Sequence, residues 1–304
     1  MHRLVDDYDA VLFDLDGVIY IGEAAVPGAA ETIRTLRSDG IGTAYLTNNA
    51  SRPPRAVAQH LRDLGIDAAD EDVVTSAQAA ARLLVELVPA GGPVLTIGGE
   101  GLAVALTEAG LRPVFSADDA PLAIVSGFGH DVGWKLLAEG VFAVRRGLPW
   151  VASNLDLTIP TPRGIAPGNG LLVEVIKRVT GVEPQVAGKP ARALVDEAVR
   201  RTGATRPLIV GDRLDTDIAA ASAYGCDSLL VLSGVTTPAE FVRAPAGQRA
   251  THVGADVTAL LSAGSDDPAM TGLLDLARRG WDEVDAGRTL DLAAELADLG
   301  LPST

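Results

Sequence analysis

The stretch that decides the fold runs from residue 11 to residue 20 and reads VLFDLDGVIY. Its apolar beginning, residues 10–13, is rich in β-branched and aromatic side chains. This composition predicts a strand buried on both faces, as in a parallel sheet flanked by helices. Because buried sheet interiors do not take bare carboxylates, Asp14 and Asp16 must follow the carboxyl end of that strand, where open α/β sheets hold their ligands. Gly17 then permits a sharp turn.

The spacing of Asp14 and Asp16 carries chemical information of its own. In an extended segment, side chains at i and i+2 point to the same side, and two like charges that close repel unless a cation or a proton separates them. The pair therefore indicates a metal site or a division of acid and base roles. The plainer alternative is an acidic turn after a strand, because Asp-x-Asp-Gly is also a loop composition.

Composition and charge restrict the class of protein and its partners. The chain has 304 residues, enough for one large domain or two moderate ones, with 47% hydrophobic and 21% charged residues, as in soluble globular proteins. Its net charge of −15 argues against nucleic acid or an anionic membrane as a partner. An anionic substrate would need a local positive site.

The expected compartment follows from the cysteine count and from the absence of targeting signals. The single cysteine, Cys226, cannot form an internal disulfide, which fits a reducing cytoplasm. Residues 1–9 have no apolar core of a signal peptide, and no stretch reaches the length of a membrane span. We therefore expect a cytoplasmic protein.

Strand and helix patterns alternate along most of the chain, which predicts an α/β fold with a parallel sheet. Strands are predicted at residues 41–47, 122–126, 150–152, 207–210, 228–232 and 252–253, with helices between them. Residues 71–88 are predicted to form a short strand and then a helix, and residues 93–114 a strand, a helix and a second strand. Residues 153–170 are rich in proline and glycine and predict a stiff, specifically shaped loop. Residues 263–304 hold two helical patterns without evident chemistry, and we expect a tail that docks on the rest or forms a homodimer.

Three more polar clusters stand at strand ends or helix starts. Thr47-Asn48-Asn49 separates a predicted strand from a helix, where side-chain donors and free N–H groups bind anions, although an ordinary N-cap cluster has the same composition. Lys189 lies between a glycine and a proline that opens a helix, a context that holds one cation in place. A solvated surface lysine is the alternative.

The third cluster, residues 211–217, reads GDRLDTD and follows another buried strand. It contains Asp212 and Asp217. A second acidic strand end in one α/β sheet is hard to explain without a cation.

Together the four signals resemble the motifs of the haloacid dehalogenase superfamily, specifically its subclass IIA phosphatases of the NagD, 4-nitrophenylphosphatase and phosphoglycolate or glycerol-phosphate phosphatase type. The first motif corresponds to residues 14–18, the second to 47–49, the third to 188–190 and the fourth to 211–217. The resemblance covers residues from about 8 to 262, and four motifs in the same order are far more specific than any one of them.

The resemblance implies a Rossmann-like core and a large α/β cap inserted between the second and third motifs. About 140 residues separate Thr47 from Lys189, which is enough for a domain of typical size. We expect the core to comprise residues 1–80 and 185–262, the cap residues 81–184, and a helical tail residues 263–304.

The resemblance also implies a Mg²⁺-dependent phosphatase that works through an aspartyl-phosphate. Asp14 is then the nucleophile, Asp16 the general acid and base, and Lys189 a balancing charge. Asp14, the Asp16 carbonyl and Asp212 are expected to bind Mg²⁺. Asp217 is expected to support these ligands without binding the ion directly. Thr47 and the N–H groups of Asn48 and Asn49 are expected to bind the phosphoryl oxygens.

The substrate is expected to be a small phosphorylated metabolite, because a large cap favours compact substrates. In the loop, Asn154, Asp156 and Arg163 are the residues expected to meet it. The resemblance to glycerol-phosphate and phosphoglycolate phosphatases implies a short polyol or acid phosphate. Because Asp156 would favour hydroxyls over a carboxylate, glycerol 3-phosphate is our first choice. Alternatives are 2-phosphoglycolate, a sugar phosphate or a nucleotide. A non-catalytic regulator that binds a phosphometabolite would be expected to lack a motif residue, and none is missing.

Overall fold

The structure, a computed structural model, describes residues 2–161, 163–263, 266–288 and 290–302. The strands, in chain order, are β1 (Ala10–Phe13), β2 (Tyr20–Ile21), β3 (Ala24–Ala25), β4 (Gly42–Thr47), β5 (Val73–Thr75), β6 (Pro93–Ile97), β7 (Arg112–Val114), β8 (Ala123–Ser126), β9 (Trp150–Ala152), β10 (Thr158–Thr161), β11 (Gly164–Pro167), β12 (Gln185–Val186), β13 (Pro207–Gly211), β14 (Asp227–Val231) and β15 (His252–Gly254). The α-helices are α1 (Ala29–Ser38), α2 (Pro54–Asp63), α3 (Ser76–Val85), α4 (Glu100–Glu108), α5 (Trp134–Arg145), α6 (Asn169–Thr180), α7 (Ala193–Thr202), α8 (Ala219–Tyr224), α9 (Pro238–Val242), α10 (Pro268–Asp285) and α11 (Ala293–Asp298).

Strand β1 lies in the middle of a six-stranded sheet with the order β15-β14-β13-β1-β4-β5. All four of its residues are buried, as the apolar sequence predicts. Its neighbours β13 and β4 are both parallel to it, with Phe13 opposite Val210 on one side and Tyr45 on the other. The strand order changes direction at β1, and such a switch point is where α/β sheets bind ligands.

The chain divides into two compact units. The first comprises Met1–Tyr45, His60–Ala68 and Ala198–Thr304, and the second comprises Leu46–Gln59 and Ala69–Glu197. The division therefore falls within β4. The core, cap and tail boundaries expected from the sequence stay a prediction about functional domains.

In the first unit, the two tail helices pack on the part of the chain that follows β14. Leu273 and Leu276 of α10 and Leu296 of α11 share a buried cluster with Phe241 and Val242 of α9. The side chain of Arg249 pairs with Asp285 of α10, and its guanidinium carbon lies 5.4 Å from the centre of the Trp281 ring. Residues 266–288 and 290–302 thus contribute to the core of this unit.

The second unit contains a five-stranded parallel sheet with the order β12-β9-β8-β6-β7. Helices α5 and α6 pack on it around a buried cluster that includes Ile97, Ile124, Trp150 and Ile176. Gly140 of α5 allows their close approach, because a Cβ there would lie 2.9 Å from the Ile176 side chain.

The predicted α/β class is correct, and the predicted strands and helices are found with small shifts of their ends. Residues 153–170, which we expected to form a loop without strands, contain the antiparallel hairpin of β10 and β11. Both strands of a two-stranded ribbon are edges, and an edge tolerates prolines that would interrupt a central strand. Pro162 lies outside the described residues.

Among the helices of the described ranges, none is both long enough and apolar enough to cross a bilayer.

Candidate active site

Three carboxylates meet at the carboxyl ends of β1 and β13. One oxygen each from Asp14, Asp212 and Asp217 lies within 4.8 Å of the others. Asp14 directly follows β1, and its N–H donates to the Val210 carbonyl at 2.8 Å, which extends the pairing of β1 with β13 by one residue. Asp212 directly follows β13, and Asp217 lies in the π-helical turn Leu214–Ile218. Strand register therefore brings together acidic residues about 200 positions apart.

Backbone N–H groups hold two of these carboxylates in place. Asp212 Oδ2 accepts a hydrogen bond from the Val235 N–H at 2.7 Å, and Asp217 Oδ2 accepts one from the Arg213 N–H at 3.1 Å. Both aspartates are 1% exposed. Buried carboxylates of like charge repel strongly unless positive charge or protons offset them.

Glycines leave the space that the carboxylates occupy. Gly17 has a φ of +81°, and a Cβ there would lie 2.5 Å from Asp212 Oδ2. A Cβ on Gly234 would overlap the same carboxylate, and one on Gly211 would overlap Asp217. The donor set of hard carboxylate oxygens, packed without room for larger side chains, fits a divalent cation such as Mg²⁺.

Asp16 has a different environment from Asp14. Asp14 is half-buried, whereas Asp16 is exposed and its carboxylate is not in the group of three. The chain turns at Leu15, whose carbonyl accepts from the N–H groups of Ile19 and Tyr20 at 2.9 and 3.2 Å. Asp14 and Asp16 thus differ in solvent exposure, as expected if their roles differ. Their individual roles stay predictions.

A second group of predicted residues surrounds Asn48, in the second unit. Asn48 Nδ2 donates to the Lys189 carbonyl at 3.0 Å and to the Asp156 carboxylate at 3.2 and 3.3 Å. Asn48 Oδ1 accepts from the Lys189 N–H at 2.8 Å. Asn154 Nδ2 donates to the Asn48 carbonyl at 2.6 Å, and Asn169 Nδ2 donates to the Asn154 carbonyl at 2.7 Å.

Thr47, the last residue of β4, and Asn49 form a local turn at the end of that strand. The Asn49 N–H donates to Thr47 Oγ1 at 3.1 Å, and Asn49 Oδ1 accepts from the N–H and hydroxyl of Ser51 at 2.9 and 2.7 Å. The Asn49 N–H, which we expected to bind phosphate, therefore has an internal acceptor in this structure. Its predicted role requires an exchange of that partner.

Arg163 lies in the turn of the β10–β11 hairpin. Its side chain is exposed, and its N–H donates to Thr161 Oγ1 at 3.3 Å. The structure therefore groups Asn154 and Asp156 with Lys189 and does not group Arg163 with them.

Sequence reasoning missed residues 233–235, which follow β14. The Ser233 hydroxyl donates to the Gly17 carbonyl at 2.6 Å, while Gly234 and the Val235 N–H contact Asp212. The available signal was a Ser-Gly pair directly after a buried strand, the same position that the other motifs occupy.

Family models agree with this geometry. A model described as haloacid dehalogenase-like hydrolase matches residues 11–112, and one described as HAD-hydrolase-like matches residues 186–260. A D-glycerol 3-phosphate phosphatase from Mycobacterium tuberculosis is 45% identical over 260 residues, 86% of this chain and 73% of the relative. The chain belongs to the haloacid dehalogenase-like hydrolases. The predicted family is thereby confirmed.

The chain is also similar to other relatives and to solved structures. An acid sugar phosphatase from Staphylococcus aureus is 40% identical over 76% of this chain and 88% of its own length. The crystal structure of a glycerol phosphate phosphatase from M. tuberculosis with magnesium has a TM-score of 0.91 at 37% identity, covering 99% of this chain and 100% of that one. A p-nitrophenyl phosphatase from Archaeoglobus fulgidus has a TM-score of 0.76 at 29% identity, covering 82% and 97%.

Proposed function

We propose that this hydrolase is a Mg²⁺-dependent phosphatase that acts on D-glycerol 3-phosphate. The observation that carries the proposal is the group formed by Asp14, Asp212 and Asp217, three carboxylate oxygens within 4.8 Å at the switch point of the sheet. Such a group suits a divalent cation, and its member Asp14 is half-buried, whereas Asp212 and Asp217 are buried. The relative at 45% identity is named for this substrate.

The residues divide the reaction into two steps. The Asp14 carboxylate attacks phosphorus, forming an aspartyl-phosphate as the bond to the leaving oxygen breaks, and Asp16 gives its proton to that oxygen. In the second step, water attacks the same phosphorus while Asp16 accepts the water's proton. Phosphate leaves and the Asp14 carboxylate is restored. The exposure of Asp16 suits exchange of protons with the leaving alcohol and with water.

The negative charge of the phosphate must be balanced by groups that do not react. Lys189 supplies a cation, and Thr47 with the Asn48 and Asn49 N–H groups supplies hydrogen bonds to phosphoryl oxygens. Asp14, Asp212 and the Asp16 carbonyl would hold Mg²⁺. Asp217 would act behind these ligands, next to Asp212, without binding the ion itself. The bound ion offsets the charge of the carboxylates and the substrate. A magnesium complex of a structural relative supports this choice of ion.

A second substrate class is favoured by the relatives named acid sugar phosphatases, which are 40% identical to this chain. Glycerol 3-phosphate and sugar phosphates are both polyol phosphates, and an acidic residue such as Asp156 suits hydroxyl groups better than a carboxylate. We therefore rank both above 2-phosphoglycolate and nucleotides.

Phosphate release tests the proposal directly. Wild-type protein is assayed with D-glycerol 3-phosphate, a sugar phosphate panel, 2-phosphoglycolate and nucleotides, with Mg²⁺ and with EDTA. We expect glycerol 3-phosphate to have the highest kcat/KM and EDTA to abolish turnover. A competitor with a tenfold higher kcat/KM, about 1.4 kcal/mol in transition-state stabilisation, would change the substrate assignment.

The roles of the two aspartates are tested by Asp14→Asn and Asp16→Asn. Asp14→Asn removes the nucleophile and is expected to lower kcat by at least about 10⁴-fold, because no aspartyl-phosphate can form. Asp16→Asn is expected to slow both proton transfers, by about 10²- to 10⁴-fold. Turnover of Asp14→Asn near the wild-type value would exclude this mechanism.

The proposal extends to compartment and partners. The single cysteine and the expected metabolite substrate support a cytoplasmic enzyme, and no nucleic acid or membrane partner is proposed. The division into core, cap and tail, and the homodimer, stay proposals that light scattering and limited proteolysis would test.

A further inference from the structure

The Asn48 side chain joins three segments that are distant in sequence. Its amide holds both the N–H and the carbonyl of Lys189, 141 positions away, and also the carboxylate of Asp156, 108 positions away. Its own carbonyl accepts hydrogen bonds from Asn154 Nδ2 and from the Ser76 hydroxyl, each at 2.6 Å. All of these residues belong to the second unit.

These contacts occupy both N–H donors and the oxygen of the Asn48 side-chain amide. An asparagine amide has two N–H donors, and here one meets the Lys189 carbonyl and the other the Asp156 carboxylate. The oxygen accepts from the Lys189 N–H. With both donors engaged, this side chain is not suited to bind a substrate phosphate directly.

The packing around the amide is close and specific. A Cβ on Gly188 would lie 2.6 Å from Asn48 Oδ1 and 2.5 Å from the Ser153 carbonyl, so only glycine fits before Lys189. Lys189 and Asn154 are each 3% exposed. An amide that binds both polar groups of one residue fixes the direction in which that residue's side chain leaves the backbone.

We propose that Asn48 is a positioning residue, which sets the main chain of Lys189 and the carboxylate of Asp156 through one amide. The inference rests on the proposed function, in which Lys189 balances phosphate charge and Asp156 meets the hydroxyls of the substrate. The Asn48 side chain then fixes the position of Lys189 relative to Asp156. Catalysis is sensitive to such placement, since a shift of about 1 Å can cost about 10²-fold in rate.

Asn48→Asp is the sharpest variant, because it keeps the size of the side chain and the oxygen that binds the Lys189 N–H. It replaces Nδ2 with an oxygen that faces the Asp156 carboxylate and the Lys189 carbonyl. We expect kcat for D-glycerol 3-phosphate to fall on the order of 10²-fold, with KM changed by less than about threefold. A loss confined to KM would indicate direct substrate binding by Asn48 and would overturn the proposal.

Rescue distinguishes positioning from simple damage. In the double variant Asn48→Asp with Asp156→Asn, the amide at 156 can donate to the carboxylate at 48, so the repulsion between these two side chains is removed, while the hydrogen bond to the Lys189 carbonyl is not restored. We expect kcat to recover by at least about tenfold relative to Asn48→Asp alone, the behaviour of directly coupled residues. A double variant no faster than Asn48→Asp would overturn the inference.

Ser76→Ala is the matched control. It removes the serine hydrogen bond to the Asn48 carbonyl, which still accepts from Asn154, and it leaves the contacts to Lys189 and Asp156 intact. We expect its kcat within about twofold of wild type. If Ser76→Ala lost as much activity as Asn48→Asp, loosening of the segment would explain both losses and the positioning role would be rejected.

A readout without activity separates this inference from the proposed function. Wild-type protein inactive on every phosphomonoester would contradict the phosphatase proposal alone. The melting temperatures of Asn48→Asp, Asp156→Asn and the double variant then form a double-mutant cycle. We expect the melting temperature of the double variant to fall by less than the sum of the decreases in the two single variants. Strict additivity would overturn the link between the two side chains.

Discussion

The position of Asp212 depends on two residues that have no side chain. Gly17 and Gly234 lie against its carboxylate, and the Val235 N–H donates to it. A carboxylate held so closely by backbone keeps one orientation, which is what a cation site requires. The glycines of the first motif and of residues 233–235 are therefore as much a part of the site as its acidic residues.

Gly234→Ala tests this packing. The new Cβ would overlap the Asp212 carboxylate and displace an expected Mg²⁺ ligand, so we expect Mg²⁺ affinity to fall by at least about tenfold. Isothermal titration with Mg²⁺ and the Mg²⁺ dependence of phosphate release measure the change. Gly247→Ala is the control, because a Cβ there meets open space, and its affinity should equal that of wild type. Equal affinity in both variants would contradict the prediction.

His252 forms a separate polar cluster at the amino ends of β14 and β15. Its Nε2 lies 2.8 Å from the Tyr8 hydroxyl oxygen, and the Tyr8 hydroxyl donates its proton to Asp227 at 3.0 Å. Burial lowers the pKa of His252, and Arg278 lowers it further, while Asp227 and Asp7 oppose the shift. The folded protein thus favours the neutral imidazole.

The pH dependence of stability follows from that direction. The unfolded chain takes up a proton on this histidine near pH 6.5, whereas the folded chain resists it, so the contribution is complete above that pH and is lost as pH falls. We expect His252→Gln to lose less unfolding free energy than wild type between pH 7 and pH 5, measured by urea unfolding. Parallel curves for His252→Gln and wild type would contradict the pKa shift.

Among the elements, helix α10 shows how the tail contributes to the first unit. Leu273, Leu276 and Ala277 lie on its buried face, while Arg278 and Arg279 lie on the exposed one. The Trp281 indole donates to the Phe241 carbonyl at 3.1 Å, which fixes the helix against α9. The sequence left open whether this tail docks on the rest of the chain or forms a homodimer. In the structure the tail packs on its own chain. A homodimer stays an untested prediction.

Leu273→Ala measures this docking. Leu273 is fully buried, so its truncation leaves a cavity and is expected to lower the free energy of unfolding by about 2–5 kcal/mol. Arg278→Ala removes an exposed side chain whose ion pair with Asp275 is 3.7 Å long, and should cost less than about 0.5 kcal/mol. Urea unfolding of the two variants gives the comparison, and equal stabilities would show that α10 adds little to the core.

For the whole molecule, the net charge of −15 opposes the approach of an anionic substrate. Long-range repulsion is screened as the Debye length falls from about 30 Å at 0.01 M salt to about 8 Å at 0.15 M, whereas buried charges are screened much less. We expect kcat/KM for D-glycerol 3-phosphate to rise by about twofold or more over this range at constant free Mg²⁺. The value of kcat at saturating substrate is the control and should stay constant. A fall in kcat/KM with salt would show that local cations dominate.

The sequence by itself determined the elements and their polar ends. The buried run before Asp14, the strand before Asp212 and the turn at residues 47–49 all follow from local composition, since burial and backbone freedom are properties of neighbouring residues. The family resemblance then assigned chemistry to those ends. The hairpin of β10 and β11 was missed because proline and glycine favour loops unless an edge strand accepts them.

Only the tertiary structure decided which side chains meet. Strand register placed Asp14 beside Asp212 and Asp217 and left Asp16 outside that group, while Asn48 turned toward Lys189 and Asp156. The contribution of residues 233–235 also became visible only when β14 took its place beside β13. Contacts between residues more than a hundred positions apart depend on strand order, register and packing, and no local sequence pattern encodes these.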